Sequence, residues 1–160
     1  MKTFFKIAVI VLLTISLFSC TTDDEMLTYN TDIVSIEYGT SFGQCLGYCN
    51  RNIIISGTEV QFQASGQTIT GNLPDLTIPG EITVKEWESL VKTINLLIFR
   101  NMEEVIGCPD CADGGAEWIE ITTDEISHKI VFEFDNAPEE IDSFIEELRE
   151  IIEQYETDLN

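Results

Sequence analysis

Apolar and polar residues alternate along much of the chain after residue 32, which is the pattern of half-buried β-strands. A strand is predicted over residues 33–38, followed by a hairpin over residues 53–64. A turn then leads into a predicted third strand over residues 68–73, and the prolines in residues 74–80 predict a loop. The first half of the domain is therefore expected to be an antiparallel strand block.

Two later segments show the spacing of three and four residues that marks an amphipathic helix. The first opens with a predicted capping box, in which Thr83 accepts from the Glu86 amide and Glu86 reaches back. Its predicted buried face consists of Trp87, Leu90, Val91, Ile94, Leu97 and Ile98. The second begins at residues 136–139, with acidic residues in the first turn, where the helix dipole favours them. Its predicted buried stripe consists of Ile141, Phe144, Ile145, Leu148, Ile151, Ile152 and Tyr155.

A second hairpin is predicted between the two helices, over residues 118–122 and 126–134. The element order is therefore strands, helix, strands, helix. This order indicates an α+β fold, an antiparallel sheet of two hairpin blocks with two helices packed on one face. Residues 31–160 are predicted to form this single domain.

The first nineteen residues have the pattern of an export signal. Lys2 and Lys6 precede an apolar run over residues 7–18, which is shorter than the roughly 20 residues that span a bilayer. Residues 1–19 are therefore predicted to be a cleaved signal peptide. An uncleaved anchor helix and a secreted protein with a chance cysteine are the alternatives.

The residues at the predicted cleavage site, Leu17-Phe18-Ser19-Cys20, resemble a lipobox, the sequence cut by lipoprotein signal peptidase. The resemblance implies that Cys20 carries a covalent lipid, the only cofactor expected, which anchors the chain in a lipid membrane without crossing it. Residues 20–30 are then a lipidated cysteine and an acidic tether. Acidic residues 23–25 resemble the surface-export tags of some Gram-negative bacteria. The expected location is the outer membrane, on its periplasmic face or at the cell surface.

The chain is strongly acidic, with a formal net charge of −21. Cleavage of the signal removes Lys2 and Lys6, which leaves six basic and 29 acidic residues and a net charge of −23. This charge argues against nucleic acid as a partner, because nucleic acid binding needs a positive face. It favours a cationic partner, and the helix over residues 139–157, where only Arg149 is basic, predicts a basic protein partner. The composition itself favours a merely solvated acidic surface, and the basic protein partner is a hypothesis beside it.

The most specific motif of the mature chain precedes the first hairpin and reads Ser41-Phe42-Gly43-Gln44-Cys45-Leu46-Gly47-Tyr48. It resembles the opening motif of a family of bacterial lipoproteins called domain of unknown function 6438, Cys-Phe-Gly-x-Cys-x-x-Tyr. The order of elements resembles that family from about residue 33 to residue 152. The resemblance implies a fold and a location, but no reaction, because the family has no established activity. Ser41 replaces the first cysteine of the motif and Cys49 is an added one, so the pairing within the family does not carry over.

Four cysteines remain besides Cys20, in two close pairs, Cys45 with Cys49 and Cys108 with Cys111. An even set in an exported protein predicts disulfides. Bridges between the two loops are favoured, because closing about 60 residues stabilises by about 4 kcal/mol and a local bridge by about half of that. Two local bridges, a four-thiolate zinc site and free thiols are the alternatives.

The run Cys108-Pro109-Asp110-Cys111 also resembles a redox motif. A reactive thiol of this kind lies at a helix N-terminus, but residues 112–115 break a helix, and acidic neighbours raise the pKa of a thiol. A thiol–disulfide oxidoreductase that uses Cys108 and Cys111 is therefore the alternative function. The favoured function is a non-catalytic binding or envelope-structural lipoprotein.

No catalytic residue and no metal site is predicted. His128, the only histidine, shares an alternating apolar face and is expected to have a hydrogen-bonded structural role. Asp110, Asp113 and Glu117 lack the spacing of a calcium-binding EF-hand loop and are expected to lie in a solvated loop. The sequence therefore contains no set of groups that predicts an enzyme.

Overall fold

The computed structural model describes residues 32–157. The predicted signal peptide, the lipidated Cys20 and the tether all lie outside the described residues. No helix within the described range is long and apolar enough to cross a membrane.

The described residues form eight strands and three α-helices. The strands are β1 (Ile33–Ser41), β2 (Gly47–Ser56), β3 (Glu59–Thr68), β4 (Gly71–Asn72), β5 (Leu76–Glu81), β6 (Val105–Ile106), β7 (Ala116–Thr123) and β8 (Ser127–Glu133). The helices are α1 (Val84–Thr93), α2 (Leu96–Phe99) and α3 (Asp142–Glu156), and a 3₁₀ turn covers Cys111–Asp113.

All strands belong to one sheet, whose order is β4-β3-β2-β1-β7-β8-β6. Strand β5 lies off this path and also pairs with β3. The predicted α+β fold is confirmed. The predicted arrangement of an antiparallel sheet with two helices is wrong in detail, because β6 runs parallel to β8 and a third helix, α2, is present. Both elements are very short, and segments of two to four residues carry no periodic pattern in a sequence.

The edge of the sheet beyond β3 also differs from the prediction. Residues 74–80, predicted as a loop, contain most of β5, while the third strand predicted over residues 68–73 shrinks to β4. Pro79 lies within β5, opposite Gln61. A proline is tolerated there because β5 pairs on one side only, so its missing N–H is not needed for a second ladder.

The capping box at the start of α1 is confirmed. The Glu86 amide donates to the Thr83 hydroxyl at 3.2 Å, and the Thr83 amide donates to the Glu86 carboxylate at 2.7 Å. The Thr83 hydroxyl also donates to the Glu86 carboxylate at 2.7 Å, and this hydrogen bond, followed by the one from the Thr83 amide, lowers the pKa of Glu86. The sequence therefore defined the first turn of this helix correctly.

The end of the same helix was predicted wrongly. Ile94 is extended, with φ −83° and ψ 134°, so α1 stops at Thr93. Asn95 then caps α2, its side chain accepting from the Ile98 amide at 3.2 Å. This break turns Leu97 and Ile98 out of the predicted buried face, and they are 60% and 43% exposed.

The core lies between the helices and one face of the sheet. Alternate residues of five strands point into it, and the largest fully buried side chains are Tyr38, Phe62, Phe99, Phe132 and Phe144. Helix α3 begins at Asp142, a few residues after the predicted start, and its buried stripe is confirmed. Near its end, the Tyr155 ring stacks on Phe62 with a centroid distance of 5.8 Å. The opposite side of the sheet, called the open face below, carries half-buried and exposed side chains such as Glu37, Trp118 and Lys129.

Candidate functional site

Two disulfides are present, Cys45–Cys49 and Cys108–Cys111, with Cα–Cα distances of 5.8 Å and 5.5 Å. The predicted oxidation of the four cysteines is therefore confirmed, and the favoured pairing between the loops is wrong. The entropic advantage of a long closed loop counts only when the distant cysteines can meet in bonding geometry. Each loop instead reverses over three or four residues and brings its own two cysteines together.

The pairing also removes the four-thiolate zinc alternative, because these sulfur atoms are bonded to one another. Among residues 32–157, no group of three or more histidine, cysteine, aspartate or glutamate side chains is arranged to hold a metal ion.

Both disulfides lie at the same end of the sheet, called the disulfide pole below. Ser41, the last residue of β1, pairs with Asn50 and with Ala116, and Ala116 also pairs with Glu133. The two cysteine loops lead into these ends of β2 and β7. The opposite end, called the entry pole, is where β1 begins, with Ile33 beside Thr123.

The two disulfide loops contact each other through the residues of the Phe-Gly motif. The Phe42 ring meets the Phe134 ring edge-on at a centroid distance of 4.8 Å. A β-carbon at Gly115, where φ is +86°, would overlap the Phe42 ring, and one at Gly43 would lie 2.9 Å from an Asp110 carboxylate oxygen. Gly115 is therefore required by its backbone conformation and by close packing, whereas a side chain at Gly43 would displace the Asp110 carboxylate, and the two loops form one continuous surface.

The tyrosine of the motif fixes the next part of this surface. The Tyr48 hydroxyl donates to the Pro74 carbonyl at 3.2 Å, and Arg51 Nε donates to the Tyr48 carbonyl at 2.8 Å. A side chain at Gly66 would overlap the Gly47 carbonyl, so the backbones of β2 and β3 approach closely here. These contacts connect the first disulfide loop to the segment before β5.

A polar cleft of about 550 Å³ opens between these elements. The polar side chains along it belong to Ser41, Asn50, Ser65, Gln67, Asn72, Asp75 and Asp110. It contains two carboxylates, and no lysine, arginine or histidine is among its lining residues in the described part of the chain. Such a lining accepts hydrogen bonds from cations and hydroxyl groups, and it repels anions.

A second cavity, of about 390 Å³, lies on the helix side of Phe42 and contains a buried ion pair. Arg149 of α3 donates from Nη2 to both carboxylate oxygens of Glu117, at 3.0 Å and 2.9 Å. The Asp135 amide donates to the same carboxylate at 3.1 Å. The expectation that Glu117 lies in a solvated loop is wrong, because β7 already begins at Ala116 and directs Glu117 inward, where only 1% of its side chain is exposed.

Tyr38 of β1 completes this cluster. Burial, and then the Glu117 charge, raise the pKa of the Tyr38 hydroxyl well above its usual range. Burial alone would lower the pKa of Arg149, but its hydrogen bond to Glu117 and the charge of that carboxylate raise it above the ordinary value. Tyr38 therefore stays protonated and Arg149 stays charged near neutral pH, so the cluster fastens α3 to the sheet and does not exchange protons.

One sequence signal for this cluster was available. Arg149 lies four residues after Ile145 and three before Ile152, so it belongs to the apolar stripe of the helix and not to its acidic face. No comparable signal identified Glu117 as its partner, because the two residues are 32 positions apart.

The Cys108–Cys111 disulfide is exposed, but it lacks the setting of a redox centre. The backbone is left-handed at Asp110, between the two cysteines, and at Ala112 and Asp113 after them, so no α-helix starts at either cysteine. The Cys108 amide donates to the Glu133 carboxylate at 2.8 Å. A nearby carboxylate disfavours a thiolate at this position, whereas a helix N-terminus would favour one.

The remaining sequence candidates lie apart from the cleft or on the surface. His128 contacts the edge of the Phe99 ring at 5.3 Å, and its Nε2 is buried without a hydrogen-bond partner among the described residues. The predicted hydrogen bond is therefore wrong for that nitrogen. Asp110 and Asp113 are exposed, as expected for a loop, and Asp110 lines the cleft.

No family model matches the chain, and no curated protein matches it. The resemblance to the lipoprotein family of domain of unknown function 6438 therefore stays a prediction, carried by the motif over residues 42–48.

Proposed function

We propose that the protein is an exported lipoprotein, anchored in the outer membrane through lipidated Cys20, whose domain is a non-catalytic binding or envelope-structural module. The observation that carries the proposal is the position of the polar cleft relative to the start of the domain. Strand β1 has nine residues and runs from the entry pole to the disulfide pole, a length of about 30 Å. A tether that ends at Ile33 leaves the cleft directed away from the membrane.

The charge of the cleft and of the domain supports a basic protein as the partner. Asp75 and Asp110 line the cleft, and the exposed side of α3 adds further carboxylates such as Glu146 and Glu150. An inserted lysine or arginine side chain would find carboxylate, amide and hydroxyl acceptors there. The field of a strongly acidic domain would also accelerate association with a cationic protein.

The binding test uses the mature lipoprotein in vesicles of neutral phosphatidylcholine, with lysozyme as the cationic probe. We expect binding that weakens steeply between about 20 mM and 150 mM salt, because salt shortens the range of the field. The double substitution Asp75→Asn and Asp110→Asn should weaken it at least fivefold. Asp113→Asn, on the same loop but not in the lining of the cleft, is the matched control. Equal affinity for all three proteins would contradict the role of the cleft.

The anchor has its own test. Mass spectrometry of the mature N-terminus should find an acylated Cys20 and no residues 1–19. An intact Met1, or a cleaved chain without lipid, would refute the anchor and leave the binding test unaffected.

The exposure of the Cys108–Cys111 disulfide supports a second candidate, a thiol–disulfide oxidoreductase. Turnover in an insulin-reduction assay that is lost in Cys108→Ser but kept in Cys45→Ser would reverse the order of the two candidates. We expect no turnover from any of the three proteins.

A further inference from the structure

The open face of the sheet carries a row of residues that lie level with one another on the neighbouring strands β7, β1, β2, β3 and β5. Each residue pairs with the next, and the row, called the central row below, consists of Trp118, Gly39, Asn52, Gln63 and Thr77. Neighbouring strands are about 4.8 Å apart, so the row runs about 19 Å across the sheet. This length suits contact with a chain molecule better than with a single small ligand.

Gly39 allows the indole ring of Trp118 to lie across β1. A β-carbon at Gly39 would lie 2.7 Å from Trp118 Cζ2 and 2.8 Å from Asn52 Cβ. The ring therefore extends over β1 and reaches Asn52 on β2. A glycine inside a strand weakens the sheet and often marks a position that another group approaches closely. At this position of a central strand an aromatic surface takes the place of a side chain.

The rest of the central row is polar and uncharged, and its amides are held in a hydrogen-bonded series. Asn52 Nδ2 donates to Glu37 at 2.9 Å and to Gln63 Oε1 at 3.5 Å, and Gln63 Nε2 donates to Gln61 Oε1 at 2.8 Å. A cavity of about 310 Å³ lies along these amides, and its polar side chains belong to Asn52, Gln63, Ser65, Asp75 and Thr77.

We infer that the central row binds a neutral polysaccharide. A sugar ring has an apolar C–H face, which packs on an aromatic ring, and hydroxyl groups, which both donate and accept hydrogen bonds. Amide and hydroxyl side chains also donate and accept, whereas an ionised carboxylate only accepts. The central row offers both kinds of contact, because Trp118 begins a series that continues with Asn52, Gln63 and Thr77.

The charges around the central row favour an uncharged chain. The row itself contains no ionisable side chain, and the next level of the same face, towards the entry pole, carries Glu37 beside Glu120. These two carboxylates repel an anionic polymer. The inference does not depend on the proposed binding of a basic protein, because that proposal concerns the polar cleft, which shares only Ser65 and Asp75 with this cavity.

Lys129 covers the aromatic end of the row. Its Nζ lies 3.5 Å from the centre of the Trp118 ring. The side chain is exposed and its four-carbon stem is flexible, so a sugar ring can replace the ammonium group on the indole. Substitution Lys129→Ala should therefore tighten the binding of a sugar.

Tryptophan fluorescence tests the inference, on the chain from residue 20 onward with Cys20→Ser to keep it free of lipid. The chain contains two tryptophans, so Trp87→Phe leaves Trp118 as the only one. We expect its emission to change saturably with at least one of cellohexaose, mannohexaose and chitohexaose, with a Kd of about 1 mM or below. Hexagalacturonate, which has the same number of sugar rings but carries negative charge, should bind about tenfold more weakly.

Calorimetric titration with the same sugars measures the variants. Trp118→Ala should weaken binding about tenfold. Gln63→Leu with Thr77→Val, which removes polar groups without emptying the core, should weaken it about fivefold. The matched control is Thr122→Val with Ser127→Ala, which removes two polar groups from the same face near the entry pole and should leave binding unchanged. The midpoint of thermal unfolding shows whether each variant is folded.

Absence of a response to all three neutral sugars in the parent would overturn the inference. So would equal affinities of the two double variants, or weaker binding by Lys129→Ala, which would make the ammonium group the contact and not the ring. Loss of lysozyme binding in Trp118→Ala, in a protein that binds no sugar, would assign the open face to a protein partner. A failed lysozyme test would leave the inference standing.

Discussion

Glu117 and Glu37 lie on the neighbouring strands β7 and β1 and point to opposite faces of the sheet. Glu117 is almost wholly buried beneath α3, where its carboxylate accepts hydrogen bonds from Arg149 and from the Asp135 amide. Glu37 is half-buried on the open face and accepts one hydrogen bond, from Asn52 Nδ2 at 2.9 Å. The residue that pairs with it on β7 is another carboxylate, Glu120.

Glu117 faces a positive charge, Arg149, whereas Glu37 faces another carboxylate, Glu120. Burial, and then the charge of Glu120, raise the pKa of Glu37 above its usual value, while Lys129 and Asn52 act in the opposite direction. The deeper carboxylate accepts from Arg149 with both of its oxygens, although Arg149 also pairs with Glu146, and the shallower one shares a single lysine with a like charge. The comparison teaches that the completeness of the partners, more than the depth of burial, decides whether a carboxylate stabilises this sheet.

The largest effect is expected from Arg149→Met. The substitution leaves the Glu117 charge buried with only two neutral donors, the Tyr38 hydroxyl and the Asp135 amide, and breaking a buried pair in this way costs about 3–5 kcal/mol. Urea denaturation at pH 7 measures the loss. The matched control is Glu156→Gln, which removes a more exposed pair with Arg51 at 3.0 Å, keeps the Arg51 hydrogen bond to the Tyr48 carbonyl and should cost no more than about 1 kcal/mol. Equal losses would show that burial adds nothing to the Glu117 pair.

Replacement of both residues of the Glu117–Arg149 pair separates the cost of an unpaired buried charge from the contribution of the pair itself. The double variant Glu117→Leu with Arg149→Met removes the buried charge together with its partner, so most of the loss should be recovered, to within about 1 kcal/mol of the parent. A double variant that is as unstable as Arg149→Met alone would mean that Tyr38 and the Asp135 amide, left without their acceptor, contribute the larger part.

The Glu117 cluster also marks the limit of what the sequence could predict. Alternation within β7 and the three-four spacing of α3 are local signals, and they gave the strand, the helix and its buried stripe. Whether Glu117 points inward depends on where β7 begins, and its pairing with Arg149 depends on how α3 crosses the sheet. Both depend on contacts between residues that are distant in the sequence, and a periodic pattern does not predict such contacts.

Competing local signals account for the other errors. The apolar spacing through Leu97 and Ile98 predicted a longer helix, but the Asn95 side chain offered a cap that starts a new one. Pro79 predicted a loop, although an edge strand accepts proline.

The predicted cysteine pairing was wrong because it depended on loop entropy alone, and the geometry of either loop is not contained in the sequence pattern. The polar cleft could not be predicted, because it forms only where two loops and the edge of β3 meet.

On the open face, Lys129→Met should have a smaller effect than Arg149→Met. Lys129 is directly opposite Glu120, and its Nζ lies 3.5 Å from the centre of the Trp118 ring. Loss of one exposed cation–π contact and one cross-strand pair costs about 1 kcal/mol in total. Lys85→Met, on the exposed surface of α1, is the control for the loss of a positive charge. A variant as stable as this control would show that the open face does not depend on its lysine.

The smallest effect, and the only gain, is expected from Glu37→Gln. A carboxyl group whose pKa is raised on folding binds its proton more tightly in the folded state, so its ionisation destabilises the protein as pH rises through that pKa. Glutamine keeps the oxygen that accepts from Asn52 and removes the charge opposite Glu120. We expect a gain of about 0.2–1 kcal/mol at pH 7, the range for cross-strand pairs, that shrinks towards pH 4 as Glu37 of the parent becomes protonated. Urea denaturation at both pH values measures it, with Glu125→Gln in the exposed β7–β8 turn as the control. A loss of stability at pH 7, or a gain that is the same at both pH values, would show that burial and the Glu120 charge do not disfavour the ionised form of Glu37.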